Sequence, residues 1–175
     1  MSAACLTCLT NWKSRYGRDA GGYQQGLFLN IGGSKMDFDS QHLLERIVSL
    51  ILSRWEADAV YLYGSRAKGK AHRDSDWDIA VLFRDFLTSP VERCLRPQQA
   101  EEFLQRELRM YDLISVVDLE DVPPPLQISI ITGKRIYDRG VPHVRRTEQS
   151  VISKIEKDYE YRQRPDLRTR IRKTH

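Results

Sequence analysis

Gly64-Ser65 and Asp76-Trp77-Asp78, with ten residues between them, are the parts of this chain whose types and spacing could do chemistry. A glycine lets backbone N–H groups come close to a phosphate, and a serine hydroxyl adds a donor without adding charge. Two aspartates at i and i+2 of a strand project from one face, so Asp76 and Asp78 are expected to point together with Trp77 on the opposite side. Hard oxygen donors of that kind suit Mg2+, which keeps several waters and needs only one or two carboxylates besides substrate phosphates. The chemistry that joins the two halves is displacement of pyrophosphate from a nucleoside triphosphate, where the work is positioning and charge neutralisation. Arg66, Lys68, Lys70 and Arg73 raise the positive potential of the intervening loop, and Gly69 lets it turn.

Both groups need rigid elements behind them. Ala59-Val60-Tyr61-Leu62-Tyr63 and Ile79-Ala80-Val81-Leu82-Phe83 are short apolar runs rich in β-branched and aromatic residues, and they predict two buried strands with the chemistry at their ends. Upstream, Leu43, Leu44, Ile47, Val48, Leu50, Ile51 and Trp55 recur at helical spacing behind Asp39 and Ser40, either able to cap the helix. Thr88-Ser89-Pro90 and Arg96-Pro97 are expected to bracket a loop, followed by a helix carrying Ala100, Phe103, Leu104 and Leu108 and ending near Arg109. Tyr111 to Leu119 predicts a third strand, stopped by Pro123-Pro124-Pro125. Leu126 to Thr132 predicts a short helix with Gly133 as its C-cap, Arg135-Ile136-Tyr137 an edge strand, and Val144, Val151, Ile152, Ile155 and Tyr159 a C-terminal helix.

At 175 residues, 41% hydrophobic and 30% charged, the composition is that of an ordinary soluble domain with extra segments. No apolar run reaches membrane-spanning length and no secretory signal pattern opens the chain, so a cytoplasmic protein is expected. Cys5, Cys8 and Cys94 make neither a disulfide framework nor a four-ligand zinc set. Residues 1–38 carry no periodicity and are expected to be a disordered extension, with Met36 as the expected translation start. Residues 39–139 form the expected domain, 140–161 a C-terminal helix and 162–175 a basic tail. From His143 to His175 there are ten Lys or Arg against five Asp or Glu, in a chain whose net charge is +4. Such a tail attracts RNA, an acidic partner or only water.

Gly64-Ser65-Arg66-Ala67-Lys68-Gly69 through Asp74-Ser75-Asp76-Trp77-Asp78-Ile79-Ala80-Val81 resembles the minimal nucleotidyltransferases of the DNA polymerase β superfamily, and more narrowly the MNT-type antitoxins that partner HEPN-domain RNase toxins. The similarity runs from about Leu43 to Tyr137. It implies an α/β (α+β) fold, a small mixed β-sheet with flanking helices, and transfer of AMP from ATP, with Mg2+, to a tyrosine hydroxyl of the toxin in a hetero-oligomer. Carried over, Gly64 and Ser65 would hold the triphosphate, and Asp76 and Asp78 the metal. The family's third carboxylate maps to Asp112 by local context, whereas counting back from the prolines puts its first aspartate at Ser115 and its second at Asp118. Without that acid the general base for the acceptor is missing, and an antitoxin that neutralises by binding alone becomes the rival reading. An RNA-directed nucleotidyltransferase using the basic tail is a third, with only Tyr159 and Tyr161 available for base stacking.

Overall fold

A computed structural model describes residues 38–72 and 75–163 of the protein. Residues 1–37 of the expected N-terminal extension, with Met36, Cys5 and Cys8, the loop residues Arg73 and Asp74, and the tail beyond residue 163 lie outside the described residues, while Phe38, expected in that extension, opens the first helix.

Helix α1 (Phe38–Arg54) buries Leu44, Ile47, Val48 and Ile51 along one stripe and leads into β1 (Ala57–Leu62), every residue of which is buried. Asp39 lies in the first turn of α1, where its charge complements the helix N-terminus, so it does not cap from outside the helix as expected. A single helical turn, α2 (Gly64–Ala67), follows, then β2 (Trp77–Phe83). Helix α3 (Pro90–Leu108), β3 (Ile114–Asp118), α4 (Pro124–Ile131), β4 (Lys134–Asp138) and α5 (Pro142–Gln163) complete the order.

The four strands form one mixed sheet in the order β3-β2-β1-β4, with β2 and β3 parallel and the other neighbours antiparallel. Alternation along the strands sends Val60, Leu62, Trp77, Ile79, Val81, Ile114 and Val116 to a core shared with α1 and α3. Ala59, Tyr61, Ala80 and Leu82 go to a second core closed by α4 and α5 through Ile130, Ile131, Val144, Val151 and Ile152. The sheet is thus covered on both faces, and its open end is where β1 finishes and β2 begins. Among the described residues no helix is long and apolar enough to cross a membrane.

Three expected elements take a different form. The loop expected between Ser89 and Pro97 is helix: Ser89 accepts a hydrogen bond from the Glu92 N–H (3.4 Å), Pro90 sits where a missing N–H costs nothing, and Pro97 is carried inside α3. Arg109 then ends α3 in the left-handed region at φ 54°. Gly133 is not the left-handed cap of α4, since Thr132 takes that place in right-handed geometry. Glycine is required at 133 by close approach, because a Cβ there would stand 2.5 Å from the Leu62 carbonyl oxygen. The third strand starts at Ile114, leaving Tyr111 and Asp112 in the preceding turn.

Candidate active site

The open end of the sheet is built by backbone first. The Tyr63 N–H donates to the Asp78 carbonyl (3.0 Å) and the Trp77 N–H to the Leu113 carbonyl (2.8 Å), tying the exit of β1, the start of β2 and the approach to β3 into one row. Gly64 turns the chain at φ 70°, a conformation that a side chain rarely adopts. The turn is pressed so close to β2 that a Cβ on Gly64 would lie 1.9 Å from Asp78 Oδ2. The glycine of the sequence motif therefore does two things, reversing the chain and leaving room for a carboxylate. Ser65 follows it, half-buried in the single turn of α2, and the Lys70 N–H returns to the Ser65 carbonyl (3.0 Å).

Arg66, expected only to raise the local potential, is what shapes the loop. Its guanidinium donates to the carbonyls of Ser75 (2.9 Å) and Asp76 (3.2 Å) and stacks over the Trp77 ring at 4.1 Å. With Trp77 buried in the first core, Arg66 holds the chain entering β2 so that Asp76 and Asp78 stand on the side away from the indole. Gly69, at φ 68°, allows the turn expected of it.

Asp76 is exposed and Asp78 half-buried. Burial pushes the Asp78 carboxyl above the ordinary carboxylate range, the neighbouring Asp76 charge adds to the rise, and Arg66 offsets part of it. The Asp76 contribution means that the two acids feel one another, as a pair projecting together must. Tyr63, between them and the second core, has its phenol pushed up to about 12 by burial, then by the charges of Asp78 and Glu101. Two oxygen-bearing acids at a solvent-facing sheet end, with no salt bridge to either among the described residues, fit one hard divalent cation whose remaining ligands are water and phosphate.

Neither candidate for a third acid stands beside Asp78 on the shared face of β3. Asp112 lies in the turn before β3, exposed and at φ 58°, and the parallel register places Ser115 opposite Asp78. Ser115 stands between Ile114 and Val116, both in the first core, just as Asp78 stands between Trp77 and Ile79, so the two side chains share a face about one strand spacing of roughly 4.8 Å apart. Asp118 projects to the other face, three rows along the strand, where it is buried and paired with Arg96 at 2.6 Å while accepting from the Glu120 N–H at 3.0 Å. The alternation Ile114-Ser115-Val116-Val117 carried this information in the sequence.

The fold is that of a known family. The model of the family "Polymerase beta, Nucleotidyltransferase" matches residues 45–140, more than half of the chain. No curated protein sequence matches it significantly. A solved toxin–antitoxin complex with AMP-PNP contains a chain 25% identical, superposing with a TM-score of 0.55 over 69% of this chain and 92% of its own. The MntA-HepT toxin–antitoxin structure is 22% identical with a TM-score of 0.52, covering 70% of this chain and 92% of that one. A complex of the tri-AMPylated Shewanella oneidensis HEPN toxin with its MNT antitoxin gives 22%, 0.53, and again 70% and 92%; these last two show likeness of fold alone. Gly64 to Asp78 lies wholly inside the matched segment, and the chain belongs to the polymerase β nucleotidyltransferase family.

Proposed function

We propose that this protein transfers AMP from ATP to a tyrosine hydroxyl of a HEPN-type toxin and so acts as its antitoxin. The observation that carries the reading is the fit of Gly64 against Asp78, which sets a phosphate-approaching turn directly beside a pair of acids that form no salt bridge among the described residues. The likeness to a toxin–antitoxin chain determined with AMP-PNP supports both the nucleotide and the kind of partner.

In this reading Mg2+, held by Asp76 and Asp78, supplies the charge that neutralises the triphosphate. Gly64 and Ser65 bind the phosphates through backbone N–H groups and a hydroxyl, with no cost from a Cβ. Arg66 keeps Asp76 in place through its carbonyl, and its charge offsets part of the rise in the Asp78 carboxyl. The acceptor surface must come from the partner, because α4 and α5 are used in closing the second core. The test is to incubate the full chain with labelled ATP, Mg2+ and the toxin encoded beside it. Label on a toxin tyrosine is expected, and a stable complex that acquires none would count against transfer.

Ser115 opposite Asp78 favours a second reading, neutralisation by binding, with little turnover. Replacing Asp76 and Asp78 together by Ala separates the two, since antitoxin action that survives the double change does not depend on chemistry.

A further inference from the structure

We infer that Ser115 leaves the acceptor half of this site one ligand short, so that the chain takes up a single divalent cation with its nucleoside triphosphate and transfers the nucleotidyl group slowly. The inference rests on the reading above, that the site binds a nucleoside triphosphate.

The row Tyr63, Asp78, Ser115 runs across three strands at the open end of the sheet, and Ser115 is the β3 side chain that shares a face with Asp78 in that row. A site that clamps both the attacking and the leaving oxygen places two cations about 3.5–4 Å apart, which requires a charged ligand facing the first pair. A neutral hydroxyl at 115 supplies neither that charge nor a base of useful pKa. Among the described residues the other acids nearby are placed elsewhere. Asp112 is held in the turn outside the strand, Asp118 lies on the opposite face with Arg96, and Glu101 accepts from the Val116 N–H (2.9 Å) and from Gln105 (3.4 Å) at the outer edge of β3. Among the described residues no three His, Cys, Asp or Glu side chains are grouped to hold a metal.

The transfer step therefore divides unevenly. The acceptor oxygen forms a bond to the α-phosphorus, the bond from that phosphorus to the β-phosphate oxygen breaks, and pyrophosphate leaves with the electron pair. The proton of the acceptor hydroxyl goes to solvent water in this chain, whereas a carboxylate at 115 would receive it directly.

The experiment counts cations and rate separately. Mn2+ is titrated by electron paramagnetic resonance into the full chain saturated with a non-hydrolysable ATP analogue, for wild type, Ser115→Asp and Asp112→Asn. One Mn2+ per chain is expected for wild type and Asp112→Asn, and two for Ser115→Asp. In complex with the toxin and ATP, Ser115→Asp should transfer AMP about 100-fold faster, the lower end of what a placed general base contributes, and Asp112→Asn should match wild type. Two Mn2+ in wild type, or a tenfold loss of transfer in Asp112→Asn, overturns the inference. A folded Ser115→Asp that binds one cation and gains no rate does the same. If Ser115→Asp does not fold, the wild-type count and Asp112→Asn decide alone. Failure of wild type to bind the analogue at all removes the underlying reading, a result distinct from a wrong cation count.

Discussion

The acids at the two ends of this sheet are treated in opposite ways. Away from the open end, Asp58 and Asp118 are each buried at 3% exposure and met by cations of the chain itself. Asp58 faces Arg84, Arg139 and His143, whose Nδ1 is 2.8 Å away, and Asp118 faces Arg96 at 2.6 Å. At the open end Asp76 and Asp78 sit together, the Asp76 charge adds to the cost of ionising Asp78, and Arg66, which also donates to carbonyls and lies over an indole face, offsets part of it. A fold that braces the buried acids at its far end from within leaves the two at its open end without a salt bridge among the described residues. The same sequence thus uses carboxylates as braces at one end and as a ligand set at the other.

The largest effect that would break this contrast is at the open end. Asp76→Ala with Asp78→Ala should remove nucleotidyl transfer by more than about 100-fold, beyond the loss that a merely supporting partner produces, with little change in thermal stability. A double variant that keeps transfer would make the two acids ordinary surface charges. At the braced end the expected cost is in folding. Arg96→Met strands Asp118 in the interior and should destabilise the protein by about 3–5 kcal/mol, read by denaturant unfolding, while the folded fraction binds the ATP analogue as before. Arg96 also lies over the Phe83 ring at 3.9 Å and donates to the Asp85 carbonyl, so its loss is felt by β2 and β3 together. Gly64→Ala belongs to both categories. Left-handed backbone with a side chain costs about 1–3 kcal/mol, and a methyl displacing Asp78 should weaken binding of Mn2+ with the ATP analogue at least tenfold. Unchanged cation affinity there would mean that Asp78 takes no part in holding it.

The open end was legible because it is local. Gly64-Ser65 and Asp76-x-Asp78 lie on one strand-turn-strand unit, so spacing alone put the two carboxylates on one side of Trp77, and the short apolar runs placed both strands within two residues of their observed bounds. What resisted reading was non-local. The register between β2 and β3 depends on how α3 returns the chain, and α3 is longer than its prolines suggested, because Pro90 sits in the first turn and Ser89 caps it. That extension brings Arg96 within reach of Asp118, which turned a candidate ligand into a brace. Asp112 fell to backbone conformation, its φ of 58° keeping it in the turn so that the strand begins at Ile114, three residues later than the Val- and Ile-rich run implied. Gly133 was recognised as necessary for the wrong reason, since crowding against Leu62 is invisible until β4 is paired with β1.

The smallest expected effect is the one that sharpens the comparison most, because its sign differs between the two ends. Burial and Asp76 raise the Asp78 carboxyl in the folded protein, so the folded state holds that proton more tightly than the unfolded chain does. Its contribution to stability is complete below the unfolded carboxylate pKa and is lost as pH rises through the raised folded value, leaving the ionised form a net cost at neutral pH. Asp78→Asn removes that cost, so it should raise the melting temperature by a degree or two at pH 7 and flatten the decline of stability with pH across the acidic range, while it weakens nucleotide transfer. Asp118→Asn, at the other end, deprives Arg96 of its counter-charge and should lower the melting temperature at the same pH. Melting curves of the two variants from pH 4 to pH 8 read both signs in one series. A fall in both would mean that Asp78, like Asp118, is already neutralised within the chain, and that the open end is braced rather than waiting for a cation.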